Sequence, residues 1–191
     1  MTAHPDTSGA RQRQNVVGFG VCMACIAALA GCTSEAPSAD TLELATMWQG
    51  NVIPKSTPRE LVLGFDQFCV KTPSDIAARE TALRDAGYVP TSTTAGEARQ
   101  VFVIDNRAPA IGISPNMCIA RSTARTGQTN AVNRYVSATF PEATPTDPGQ
   151  LPVDVEQAWA IDGGILATAR NRWIGNRSSY SVILFQPGGT S

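Results

Sequence analysis

The chain has 191 residues, 42% of them hydrophobic and 16% charged, with a net charge of −1. That is enough apolar material for one core of ordinary size and too little charge for a solvated disordered chain. The near-neutral balance offers no basic face to displace counterions from phosphates, which excludes nucleic acid as a partner.

Residues 1–15 are polar and carry Arg11 and Arg13, and residues 16–30 form an apolar run, VVGFGVCMACIAALA. A spanning helix needs about twenty residues, so this run is too short for a permanent membrane helix. A basic start, a short apolar middle and small residues at its end describe an export signal, expected to be removed as residues 1–31. The single histidine, His4, would go with it. So would Cys22 and Cys25, whose C-x-x-C spacing would otherwise suggest redox chemistry.

The run closes on Leu29-Ala30-Gly31-Cys32. This stretch resembles the lipobox of bacterial lipoproteins, with Leu29, Ala30 and Gly31 as the recognition residues and Cys32 as the modified one. The resemblance implies that the Cys32 thiol receives a diacylglycerol group, that the chain is cut before Cys32, and that the new amino terminus is acylated. Each buried methylene is worth about 0.8 kcal/mol, so several acyl chains together give a firm membrane anchor. The likeness implies a cell-envelope location. Thr33, in place of an aspartate after the cysteine, implies the outer membrane facing the periplasm if the source has two membranes. The resemblance covers the signal and the first mature residue only.

Residues 32–56 read as the lipidated N-terminus and a flexible tether. Residues 33–40 are expected to be disordered, and the more apolar residues 42–48 to form a short strand or helix. A single folded domain is expected over residues 57–187, with a disordered tail at 188–191. Two mature cysteines remain, Cys69 and Cys118. An exported chain meets an oxidising compartment, which favours a disulfide between them. Two buried thiols or one reactive thiol are the alternatives, though no histidine or lysine cluster is visible to lower a thiol pKa.

Thr57-Pro58-Arg59-Glu60 has the form of a capping box, and Leu61, Phe65, Phe68 and Cys69 then fall on one helical face. A second helix is expected over residues 73–86. It would be capped by Thr72, carry Asp75–Arg79 and Glu80–Arg84 pairs, bury Ile76, Leu83 and Ala86, and end at Gly87. Residues 101–104 read as a strand, and residues 111–120 as its partner, interrupted or bulged at Pro115. A third helix begins near Thr126 or Thr129 and stops at Pro141. After a proline-rich loop, strands are expected at 157–161, 164–170 and 178–186, the first two joined through Asp162-Gly163. The sum is an α+β domain: an antiparallel sheet of about five strands with two to three helices packed on one face.

The mature chain lacks histidine, so Ser-His-Asp and Cys-His catalysis have no base. No metal site and no cofactor are expected. Two readings of the remaining polar residues stay open. Asp154, Glu156 and Asp162 could serve carboxylate chemistry on glycans, or simply be solvated strand and turn residues. Arg170, Arg172, Trp173 and Arg177 surround a turn and could form a contact loop for an envelope protein or a glycan, or an ordinary exposed hairpin. The expected role is that of a membrane-anchored envelope lipoprotein, a non-catalytic accessory or binding protein rather than an enzyme. The alternatives are a small apolar-ligand carrier and a carboxylate-based glycan hydrolase.

Overall fold

The computed structural model describes residues 39–46, 54–91, 99–105, 107–151, 154–172 and 178–187. Cys32, most of the expected tether and the tail at 188–191 lie outside them. Within the tether, α1 (Ala39–Thr46) is helical, where residues 39 and 40 were expected to be disordered. It packs beside the first strand of the sheet.

The chain is α+β, with an antiparallel sheet of eight strands rather than about five. In chain order these are β1 (Val89–Pro90), β2 (Gln100–Val103), β3 (Ala110–Ser114), β4 (Met117–Thr123), β5 (Thr144–Pro145), β6 (Gln157–Ile161), β7 (Gly164–Arg172) and β8 (Ser178–Phe185). The spatial order is β1-β2-β3-β4-β8-β7-β6-β5. Two four-stranded meanders therefore meet where β4 pairs with β8, in a register running from Met117 opposite Phe185 to Thr123 opposite Ser179.

The extra strands have local causes. Residues 111–120 were expected as one interrupted strand, but Pro115 and Asn116 form a tight turn that splits the stretch into β3 and β4. Proline has no N–H for a ladder, so the chain turns there. The two outermost strands escape sequence patterning because each has only two residues. Each also contains a proline, Pro90 or Pro145. Short, proline-bearing edges present few free donors to another strand and so discourage edge-to-edge association.

Three helices, α2 (Pro58–Phe65), α3 (Ile76–Asp85) and α4 (Gln128–Thr139), cover one face of the sheet. The capping box that starts α2 is complete. The Glu60 N–H donates to the Thr57 hydroxyl at 3.2 Å, and the Thr57 N–H donates to the Glu60 carboxylate at 2.8 Å. Past Phe65 the helix widens into a π-helical turn, Asp66–Val70. That turn carries Phe68 and Cys69 into the core beside Leu61 and Phe65.

The second helix differs from its sequence reading. It begins at Ile76 because the Asp75 carboxylate accepts the Ala78 N–H at 2.8 Å, while the Thr72 hydroxyl donates back to the Gln67 carbonyl. The Glu80–Arg84 pair forms at 2.7 Å. Arg79 instead turns inward. It is 0% exposed and donates to the Cys69 carbonyl at 3.0 Å and to Gln186 at 2.8 Å. The buried pair on α3 is thus Arg79 and Leu83, one turn apart, whereas Ile76 and Ala86 are exposed.

Cys69 and Cys118 form a disulfide, with Cα atoms 5.4 Å apart. It joins the π-helical turn to β4, at the centre of the sheet. Closing a loop of about fifty residues stabilises a fold by about 4 kcal/mol on chain-entropy grounds. The Cys69→Ser/Cys118→Ser double variant is expected to lose stability of that order, read from urea unfolding.

The α2 cap gives a pH signature. Hydrogen bonds from the Thr57 backbone and hydroxyl hold the Glu60 carboxyl below its ordinary 4.5. A group with a depressed folded pKa adds stability above its unfolded pKa and loses it as pH falls through the folded one. Glu60→Gln is therefore expected to lower stability at neutral pH and to flatten its decline below about pH 4.5, the ordinary carboxyl value, in denaturation curves taken from pH 7 to 3.

Candidate functional site

The structure does not bring the three sequence-selected acids together. Asp154, Glu156 and Asp162 are all exposed. Asp162 occupies the β6–β7 turn, where Gly163 takes φ +81°, and Glu156 lies at the other end of β6. Six residues of extended chain separate the two by about 20 Å. The paired acids of a glycosidase stand about 5–9.5 Å apart. Glu156 is moreover bound by Arg170, Nε to carboxylate at 2.8 Å.

That contact also redefines the expected contact loop. Arg170 spans Glu156 and the ring of Tyr180, whose centroid lies 5.0 Å from its guanidinium carbon. It braces the β7–β8 pair. Arg172 ends β7, and Trp173 and Arg177 lie outside the described residues, as does Cys32.

A groove along the outer side of α2 brings Glu60 and Asp105 near Leu63, Gln67, Tyr88 and Arg107. Both carboxylates are already committed to backbone. Glu60 completes its helix cap, and Asp105 accepts the N–H groups of Arg107 and Ala108 at 2.7 and 2.8 Å. Burial, followed by the Asp105 charge, pushes the Tyr88 hydroxyl well above its ordinary range, and that hydroxyl donates to the Pro109 carbonyl at 3.2 Å. Tyr135, likewise pushed up by burial, donates to Asp66 at 2.9 Å, and Asp66 also pairs with Lys71 at 2.6 Å. These groups brace the fold and offer no poised acid–base pair. Among the described residues no group of three or more His, Cys, Asp or Glu side chains could hold a metal ion. The space between helices and sheet is filled by Leu61, Phe65, Leu83, Phe102, Ile111 and Tyr180.

The other face of the sheet is chemically different. Side chains alternate along a strand, so Phe102, Ile111, Ala120 and Val182 point to the helices while their chain neighbours point away. On the far side a separate apolar cluster of Val101, Val103 and Ala110 contains no helix residue. Gly112 on β3, Ala167 and Ala169 on β7 and Ala158 on β6 share this side with Ile119, Ile165 and Ile183. Two arginines share this face. The stem of Arg99 lies across β3, its Cδ 3.1 Å from where a Cβ on Gly112 would stand. Arg121, on β4, sits directly opposite Ser181 on β8. Burial, followed by the neighbouring Arg99 charge, pushes the Arg121 guanidinium down to about 10. The Oγ atoms of Ser179 and Ser181 and the Nε of Arg99 are buried and have no hydrogen-bond partner. Sequence reasoning missed this cluster. Arg99, Arg121 and Ser181 come from three separate segments with no motif among them, and only strand register unites them.

The Tyr180 hydroxyl, on the helix side, is also buried without a partner. Removing an unsatisfied buried hydroxyl costs no hydrogen bond, so Tyr180→Phe is expected to leave the unfolding free energy unchanged or raise it by up to about 1 kcal/mol. Arg170→Ala, which breaks a half-exposed pair, is expected to cost less than about 1 kcal/mol beyond its ring contact. Paired thermal and urea denaturation checks both.

Comparison with protein-family models, with curated proteins and with solved structures finds no match to this chain.

Proposed function

We propose that this protein is an envelope lipoprotein, held to a membrane by acyl chains on Cys32, whose folded domain acts by binding rather than by catalysis. The observation that carries the reading is the order of the N-terminal segments: a basic start, an apolar run of sub-membrane length, and then Leu29-Ala30-Gly31-Cys32. The buried Cys69–Cys118 disulfide supports it, because such bonds persist in oxidising compartments outside the cytoplasm. The commitment of Glu60, Asp66, Asp105 and Glu156 to caps, turns and ion pairs supports the non-catalytic part. The distance of Asp162 from Glu156, and the hold of Arg170 on Glu156, weigh against the glycan-hydrolase alternative. A filled interlayer likewise leaves a carrier no room between helices and sheet.

Cellular fractionation with intact-mass measurement tests the anchor. The native protein is expected in the membrane fraction, starting at Cys32 and heavier than its polypeptide by a diacylglycerol and an acyl group. Cys32→Ser is expected to retain residues 1–31 and to lack that added mass. An unmodified native protein cut elsewhere, or a Cys32→Ser protein with the same mass addition, would overturn the reading.

A further inference from the structure

We propose that α1 is a docking helix for a second copy of this chain. Its exposed face, led by Leu42 and Glu43, seats in the groove between α2 and α4 of the other copy, between Arg59 and Arg134, and the exchange is reciprocal. This goes beyond the binding role proposed above and does not depend on the lipid at Cys32.

Both surfaces are open in the single chain. Leu42 and Leu63 are the two most exposed large apolar side chains among the described residues, at 54% and 47%. One such residue alone is ordinary, but these two stand on surfaces of opposite charge. On α1 the residues Ala39, Leu42, Glu43 and Thr46 are exposed. Their spacing of three, four and seven places them on one side of the helix. That is the anchor pattern of a helix that lies in a groove. The helix also carries Asp40, and it has no basic residue.

The groove fits that face. It holds about 450 Å³, with Pro58, Val62, Leu63 and Ala131 as an apolar floor and Arg59 and Arg134 at its rims, and no Asp or Glu lines it. Both arginines are exposed and form no ion pair among the described residues. α4 carries no acid, and the one acid of α2, Glu60, is held in the helix cap. An acidic helix with a leucine on its outer face is therefore the complement of this surface in both charge and apolarity. The chain's own α1 does not fill the groove. It packs beside β1, at one edge of the sheet, whereas α2 lies over β4 and β8 at the centre. A two-fold pair makes the contact twice, each copy giving its helix and receiving the other's. Two short contacts make a small interface of the weak, reversible class.

The test is native mass spectrometry of the full chain released from nonionic-detergent micelles, over a series of protein concentrations. A monomer–dimer equilibrium is expected, shifting toward monomer as ammonium acetate is raised and the charges are screened. Glu43→Arg and the double variant Arg59→Glu/Arg134→Glu should each weaken the dimer about a hundredfold, because like charges then meet. Mixing these two variants should restore association as a heterodimer, since each offers the other an opposite charge. Leu42→Ser should weaken the dimer about tenfold with no change of charge. Asp162→Arg alters net charge just as Glu43→Arg does, but it lies in the β6–β7 turn and should leave association unchanged. Thermal unfolding of every variant shows that the domain is folded. A monomer at all concentrations, or a dimer indifferent to the charge reversals in folded protein, would overturn the proposal. So would a mixture of the two reversed variants that stays monomeric. A ladder of larger assemblies sensitive to the same variants would mean a head-to-tail contact and would remove the reciprocal pair.

Discussion

The pairing of β4 with β8 joins two antiparallel meanders that are separated in sequence by α4 and a proline-rich loop. Each meander alone is a chain of local hairpins. Seven successive residue pairs align them, and the register decides which side chains meet. It sets Cys118 opposite Leu184 and Ala120 opposite Val182 under the helices, and Arg121 opposite Ser181 on the other face. A slip of one residue would exchange the faces and bury both arginines in the core.

Two devices fasten the helical layer to this seam. The Cys69–Cys118 bond ties the end of the α2 segment to β4. The buried guanidinium of Arg79 holds the Cys69 carbonyl and the Gln186 side chain, just beyond the end of β8. Burial lowers the Arg79 pKa, so the charge there is costly, and its two hydrogen bonds offset part of that cost. The cross-link and the arginine act on neighbouring points. Loss of the disulfide should therefore disturb the packing of α3 as well as that of α2.

The two faces of the sheet differ in chemistry. The helix-covered face carries the large side chains and the aromatic contacts that fix the fold. The other face mixes alanine, glycine, serine and valine with Ile119, Ile165 and Ile183, and carries Arg99 and Arg121.

Local chemistry alone was sufficient for much of the fold. The Thr57–Glu60 box, the Asp162-Gly163 turn, the third helix ending near Pro141 and the β-branched runs of β2 and β8 each depend on interactions within a few residues. Such interactions are legible without knowing what the chain touches. The pairing of Cys69 with Cys118 was legible from compartment and count. The sequence by itself also carries the whole case for export and lipidation, because peptidases and acyl transferases read short linear segments. Tertiary structure decided what depends on distant partners. The two-residue edge strands exist only because a neighbour pairs with them. Arg79 turned inward, away from Asp75, because a carbonyl and an amide from other elements were waiting for it. Arg99, Arg121 and Ser181 come to one side of the sheet only through the register of β2, β3, β4 and β8. Residues on separate strands acquire a common address when the ladder aligns them, and no pattern within any one strand records it.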